Sequence, residues 1–270
     1  MKFSVITPVH NASKYLEELI LSVKNQKYVG IIEHIVINDG STDEGATQEI
    51  INKYLHLVTR SRSNFGQYAT INEAIKIATG DFLVLISGDD FFYDDQVFSK
   101  ICAALVSDKK INLIYGKSLR VSEQGQPILC DEIIIKEPFA KWRFKYQLPL
   151  LHCSAFVRRS FLLNNNLYFD DLNFKYAADW DWFLRMSRLT DFFFIDLIVS
   201  KYRVHEAQTT NRVKRKILNM EDIRVLRKNK SSILIYYLLK NLERLHKAYI
   251  ILQKQGVRAL CKKIIAFIKL

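Results

Sequence analysis

Over the first third of the chain, short apolar runs alternate with stretches whose apolar residues recur at helical spacing. Phe3 to Thr7 is a β-branched-rich run of the kind buried in a sheet, and after it Leu16, Leu19, Ile20 and Val23 mark one helix face, with Asn11 and Ser13 placed to cap it. The unit then repeats. His34 to Ile37 is a strand stopping at Asn38-Asp39-Gly40, Ser41 to Asp43 caps a helix through Ile50, Ile51 and Tyr54, and Leu57 to Thr59 is a short strand. Tyr68 to Ala78 is a helix, and Asp81 to Ile86 a strand that stops at Ser87-Gly88-Asp89-Asp90. Strands alternating with helices pair in parallel through right-handed crossovers, so the predicted class is α/β, with the carboxyl ends of its strands along one sheet edge. Ligands of open α/β sheets bind outside that edge. There the sequence places Thr7-Pro8-Val9-His10-Asn11, Asp39-Gly40-Ser41 and Ser87-Gly88-Asp89-Asp90.

Beyond about residue 110 the alternation fades. Ile111 to Val121 reads as one or two strands around Gly116, Gly125 as a turn, and Trp142 to Leu151 as an aromatic-rich connection. Phe161 to Asn166 and Trp180 to Leu189 read as helices, and Asp191 to Tyr202 as an apolar strand pair. No linker precedes about Gln208. From Arg212 the pattern is helical throughout, which divides the chain into an α/β domain over 1–211 and a helical extension over 212–270.

Length and composition narrow the class. The chain has 270 residues, 49% apolar and 25% charged, with 9 Gly and 4 Pro, which excludes disordered, collagenous and low-complexity chains. A net charge of +12 first suggests a nucleic-acid or membrane binder. Its distribution changes that picture: 212–270 hold 16 Lys and Arg against 3 acidic residues, whereas 1–211 hold 24 against 25. The cysteines, Cys102, Cys130, Cys153 and Cys261, lack the close pairing of a zinc site or redox dithiol and are expected to stay reduced. The opening MKFSVITPVHN is too short and too soon polar for a signal peptide, and no run approaches the ~18 apolar residues of a membrane span. A cytoplasmic location is expected.

Three acidic positions can carry chemistry. Asp39 ends a strand before Gly40 and Ser41, where it serves either an Asx turn with a helix cap or a hydrogen bond from a nucleotide's base or sugar hydroxyl. Asp89 and Asp90 are adjacent carboxylates at the sheet edge. They form either an exposed acidic turn or a hard-oxygen site for Mg²⁺ or Mn²⁺ shared with substrate phosphates. Asp179 stands at a helix start among bulky apolar residues, where burial raises a carboxyl pKa and the helix N-terminus lowers it. The residues leave that sign open.

Taken in order, Ser4-Val5-Ile6-Thr7-Pro8-Val9-His10-Asn11, Val36-Ile37-Asn38-Asp39-Gly40-Ser41-Thr42-Asp43, Asn64-Phe65-Gly66 with Asn72 and Ala78-Thr79-Gly80-Asp81, Ser87-Gly88-Asp89-Asp90 and Ala178-Asp179-Trp180-Asp181 resemble the family 2 glycosyltransferases over roughly residues 1 to 205. These are nucleotide-sugar-dependent enzymes of the GT-A fold, a Rossmann-like, mostly parallel sheet flanked by helices. The resemblance implies that Thr7, Pro8, Val9 and Asp39 line the nucleotide pocket, Asp39 toward the base, with Gly66, Ser87 and Gly88 nearby. It implies that Asp89, matching the last Asp of the family's DxD motif, binds a divalent metal, Mg²⁺ or Mn²⁺, supported by Asp90. Asp179, matching the Asp of the family's Glu-Asp motif, is then the general base. The first Asp of DxD is Ser87 here, and the Glu before the base is Ala178. His152 and His205 stand where many such transferases carry a histidine, and each is equally explained as a structural residue.

The implied activity is inverting transfer of a sugar from a nucleotide donor, a UDP-sugar foremost, to a hydroxyl of a glycan or lipid-linked acceptor in surface polysaccharide assembly. A catalytically inactive nucleotide-sugar binder is the alternative that Ser87 and Ala178 raise. A nucleic-acid binder using the basic extension is another, but it leaves Asp39, Asp89 and Asp179 unexplained, and nucleic acid is not expected as a partner. In 257–270 Val257, Leu260, Cys261, Ile264, Ile265 and Ile268 share one helical face apart from Arg258, Lys262, Lys263 and Lys269. That amphipathic pattern, with greasy stretches at 233–239 and 249–252, predicts peripheral binding of 212–270 to an anionic membrane surface, or packing of a helical pair on the core with a solvated basic face.

Overall fold

The computed structural model describes residues 1–128, 133–134, 138–208, 211, 213–242, 245 and 249; the amphipathic segment 257–270 lies outside them. The first half follows the predicted alternation: β1 (Lys2–Val9), α1 (Leu16–Lys24), β2 (Ile31–Asp39), α2 (Ala46–Asn52), β3 (Val58–Arg62), α3 (Gln67–Ile77) and β4 (Phe82–Leu85). Beyond them come β5 (Phe91–Phe92), α4 (Val97–Ser107), β6 (Leu113–Val121), β7 (Ile133–Ile134), β8 (Ala155–Arg158), α5 (Arg159–Asn164), α6 (Ala178–Ser187), β9 (Phe192–Arg203) and α7 (Arg215–Lys228).

Among the described residues the strands join one sheet in the order β3-β2-β1-β4-β8-β6-β9-β5, with β7 on β6. β3, β2, β1 and β4 are mutually parallel. β8 runs antiparallel to both β4 and β6, and β9 runs parallel to β6. Two reversals restore the direction, so the carboxyl ends of β1, β2, β4, β6 and β9 share one edge with the amino end of β8. Every motif singled out on those strands is thereby brought to the same side.

Apolar side chains alternate between the sheet faces, as a sheet covered on both sides requires. Ile6, Ile35, Leu83 and Leu85 pack under α3 and α6, while Phe3, Val5, Phe82 and Val84 pack against α1 and α4. Phe3, Phe98 and Phe156 meet edge to face at 5.2 to 5.6 Å.

Local expectations fail where a tertiary partner outbids a local one. Neither Asn11 nor Ser13 caps α1, which has no side-chain cap. Asn11 instead adopts a left-handed conformation (φ 52°), and its amide exchanges hydrogen bonds with Thr42 N (2.7 Å) and Thr42 Oγ1 (3.2 Å), tying the first turn to the second. Within Ser41 to Asp43 it is Asp43 that serves α2, accepting from Thr47 N at 3.1 Å. Residues 192–203 form one strand rather than a pair, and 113–121 likewise one. The register between them slips around Gly116, where a Cβ would meet the Leu197 carbonyl oxygen at 2.5 Å.

The basic extension is partly structural. Val225 and Leu226 of α7 are fully buried with the α6 residues Trp180, Phe183 and Leu184. Glu221 of α7 accepts from the backbone N–H groups of Lys175 (3.0 Å), Tyr176 (2.7 Å) and Ala177 (2.9 Å), ahead of the first turn of α6. Asp181 of α6 is met by Arg185 (2.8 Å) and by Lys228 (2.9 Å) and Asn229 (3.1 Å) at the end of α7.

Candidate functional site

At the end of β2, Asp39 is 4% exposed and fixes the segment after β3. Its Oδ1 accepts from Arg62 Nε (3.1 Å) and Phe65 N (3.0 Å), and its Oδ2 from Gly66 N (2.9 Å). A carboxylate offers about four acceptor positions, so Oδ2 retains capacity for one further donor. Gly66 takes φ 96° at the cap position of α3, a conformation that favours glycine. Arg62 also donates to Glu73 at 2.6 Å, bracing the same corner.

The β1 positions divide by the strand's alternation. Pro8 is half-buried, whereas Thr7 and Val9 point into the fold. Thr7 Oγ1 lies 3.0 Å from His34 Nε2, and Val9 packs with Leu16, Ile20 and Val36. These two therefore offer a ligand main-chain atoms rather than side chains. Gly88 is close against them: a Cβ there would stand 3.1 Å from both Val9 Cγ1 and Ala12 Cβ.

The turn after β4 separates its two carboxylates. Asp89 remains 28% exposed, and its Oδ2 lies 2.9 Å from His205 Nε2, just beyond β9. Asp90 is 3% exposed and turned inward, its Oδ1 accepting from Arg203 N at 3.0 Å. Burial, with the Asp89 charge adding to it, pushes the Asp90 carboxyl well above the usual carboxylate range, against the opposing influence of Arg203. Arg203 is the buried centre of this corner. Its Nε donates to the Asp89 carbonyl (2.9 Å), its Nη2 pairs with Glu18, and its guanidinium lies over the Tyr15 and Phe91 rings at 4.6 and 4.9 Å. Ser87 faces His152 (Oγ to Nε2, 3.4 Å), whose pKa burial lowers to about 4 in spite of the Asp89 charge.

Asp179 sits in the first turn of α6. Burial raises its pKa to about 6, outweighing the hydrogen bonds from Trp180 N (2.8 Å) and the Tyr68 hydroxyl. The sign that the sequence leaves open is thus decided by desolvation over the helix terminus. Tyr68 belongs to the first turn of α3, the helix whose cap position is bonded to Asp39, so contact with it brings Asp179 of α6 to the carboxyl edge. The Tyr176 carbonyl, 3.0 Å from the Tyr68 hydroxyl, shares that group's one proton with Asp179, and the Tyr68 ring stacks on Phe169 (5.2 Å), which stacks on Trp182 (4.4 Å).

Hence the edge carries two groupings: Asp39 with Gly66, Tyr68 and Asp179 by way of α3, and Ser87, Asp89, His152 and His205 around the β4 turn. Arg62, Tyr68, Arg203 and Glu221 do not stand out in the sequence as site residues. A charged residue ending an apolar strand was the signal for Arg203; the others stand in ordinary helix or strand patterns. Among the described residues no group of three or more His, Cys, Asp and Glu side chains is assembled for a metal. Asp89 and His205 offer a carboxylate oxygen and an imidazole nitrogen that already meet. The carboxylate suits Mn²⁺ or Mg²⁺, and the imidazole suits the softer Mn²⁺ better, with water and substrate phosphate completing the shell.

Known proteins share this architecture. An uncharacterized glycosyltransferase of Rickettsia prowazekii is 29% identical over 225 residues, 82% of this chain and 69% of that protein. The PGL/p-HBAD biosynthesis glycosyltransferase of Mycobacterium bovis is 24% identical over 195 residues, 68% of each chain. The crystal structure of Staphylococcus aureus TarS 1-349 in complex with UDP is 25% identical with a TM-score of 0.61, covering 76% of this chain. The present chain spans 61% of that TarS fragment. The Pyrobaculum calidifontis mannosyltransferase PcManGT, solved with GDP-Man and Mn²⁺, shares the fold at 14% identity, with a TM-score of 0.55 over 97% of this chain and 86% of its own. The α/β fold, with its mostly parallel sheet between helices, is that of GT-A glycosyltransferases. The family described as Glycosyl transferase family 2 matches residues 4–164, more than half of the sequence, and the chain belongs to it as a glycosyltransferase.

Proposed function

We propose that this glycosyltransferase moves a sugar from a UDP-sugar to a hydroxyl of a glycan or lipid-linked acceptor, with inversion at the anomeric carbon and help from Mg²⁺ or Mn²⁺, in assembly of a surface polysaccharide. The observation that carries this reading is the sharing of one sheet edge by two kinds of carboxylate. Asp179 has the raised pKa of a base, and Asp89 is paired with an imidazole.

Asp179 takes the acceptor hydroxyl proton onto its carboxylate as that oxygen attacks the anomeric carbon. A pKa of about 6 leaves it ionised at neutral pH, yet more basic than an ordinary Asp, and a positioned base of this kind contributes about 10²- to 10⁴-fold. Trp180 N–H and the Tyr68 hydroxyl fix the carboxylate's orientation. Asp39 and the 62–66 segment receive the nucleotide base, and the main chain of 7–9 its ribose side. Asp89 and His205 would hold the divalent ion, with Arg203 and Asp90 keeping the turn in place. A bound ion supplies Lewis-acid stabilisation of the departing diphosphate.

A panel of nucleotide sugars scored by nucleotide release, with Mn²⁺ or Mg²⁺ and with EDTA, tests the reading. Asp179→Asn is expected to lose transfer by at least about 10²-fold while donor binding, read by calorimetry, survives. Unchanged transfer by that variant removes Asp179 as the base. Donor binding without transfer by the native chain, across the panel of donors and acceptors, favours an inactive binder.

A further inference from the structure

The helical residues after α7 face the wrong way for a soluble protein. Their inward side is occupied: Tyr236, 4% exposed, stacks on Trp180 at 6.1 Å and donates to Asp222 at 2.6 Å. Their outward side is apolar. Leu234, Leu238, Leu242, Leu245 and Tyr249 recur at intervals of four, four, three and four, which is one helix face, and are 52% to 79% exposed. The patch extends onto a second element, since the one-turn 3₁₀ segment Lys141–Lys145 sets Trp142, 52% exposed, across a groove from Leu239 and Leu242. Contiguous exposed apolar surface on two elements marks an interaction site.

Charge identifies the occupant. α7 lies alongside 233–242, held by the Tyr236–Asp222 bond and by Lys240 donating to Asn219 at 3.1 Å, and the two belong to a segment, 212–270, that holds 16 Lys and Arg against 3 acids, with Lys214, Lys216, Arg224 and Arg227 exposed. A second copy docked on the patch would bring two such basic segments together, like charge against like. Residues 251–270 hold five of those Lys and Arg and no acid, so folding them over the patch concentrates the same charge. An anionic lipid surface accepts both features at once: leucines and the indole enter the headgroup boundary, and the cations of the same segment meet phosphates. We propose that Leu234, Leu238, Leu242, Leu245, Tyr249 and Trp142 form a docking surface for an anionic phospholipid bilayer. The inference is independent of the sugar-transfer reading.

Sedimentation of the full chain with phosphatidylcholine vesicles, with and without added phosphatidylglycerol, tests it without any sugar-transfer step. The native chain is expected to pellet with the anionic vesicles, several-fold less with phosphatidylcholine alone, and less again at high salt. Leu238→Asp/Leu242→Asp is expected to lose partitioning by roughly tenfold or more, with its thermal midpoint preserved because both positions face out. Arg224→Glu/Arg227→Glu is expected to lose the preference for anionic vesicles. Equal pelleting with neutral and anionic vesicles, or by the Asp double variant and the native chain, overturns the proposal. So does a dimer in solution that the Asp double variant splits while lipid binding is absent.

Discussion

Asp179 shows how little of a residue's role resides in its own chemistry. The same carboxylate on a solvated turn would titrate near 4. Here burial raises it to about 6, against Trp180 N–H and the Tyr68 hydroxyl, which favour its charge. As the base proposed above it works only unprotonated, so kcat/KM is expected to fall as pH drops through about 6. Removing the Tyr68 hydroxyl withdraws a bond to the charged form and raises that pKa further. Tyr68→Phe is therefore expected to move the acid limb up by about half to one pH unit, with the donor KM unchanged; an unmoved limb restricts Tyr68 to packing. Stability changes with the opposite sense. A carboxyl whose folded pKa lies above its unfolded value favours the folded state most at low pH and loses that advantage as pH rises through 6. At neutral pH, then, Asp179→Asn is expected to stabilise the fold by about 1–3 kcal/mol, read by denaturant melts, while abolishing transfer.

At the scale of elements, the fold was legible where period and punctuation agree and illegible where a distant partner decides. The four parallel strands and their helices follow from apolar runs ending at Asn38-Asp39-Gly40 and Ser87-Gly88-Asp89-Asp90, and Asp39, Asp89 and Asp179 stand out as polar residues at strand or helix ends. No local signal announces that Asn11 would bond Thr42 rather than cap α1, or that His205 would meet Asp89 across 116 residues of chain. Nor could the sequence show that the start of α6 is served by a carboxylate 44 to 46 residues away. Glu221 is buried and satisfies three N–H groups, so truncating it strands all three. Glu221→Ala is expected to cost about 2–4 kcal/mol and to lower kcat through a displaced Asp179. Glu221→Gln, which retains one acceptor oxygen, is expected to recover part of both. Circular dichroism melts and steady-state rates measured together check the coupling.

Across the whole molecule, charge and packing divide the chain at different places. Charge changes character at residue 212, with 16 cations against 3 acids beyond it. Packing does not: Val225 and Leu226 are as deeply buried as the central strands, and the lateral bonds of Asp181 reach Lys228 and Asn229. Truncation before Arg212 is therefore expected to yield insoluble or molten protein, whereas truncation after residue 249 is expected to leave a cooperatively folded one; thermal melts of the two separate the cases. Among the described residues no helix is long and apolar enough to cross a membrane.

The reach of Glu221 sets a rule for hybrid enzymes. Exchanging carboxyl-terminal portions between relatives is a common way to redirect an enzyme to a new surface, and the change in composition at 212 invites a splice there. A splice at that point would separate the carboxylate from the helix start it orders, leaving the recipient with Asp179, the proposed base, on a misplaced stalk. The junction that keeps the two together lies beyond Asn229, where one parent contributes the whole brace and the other only the residues carboxyl-terminal to it.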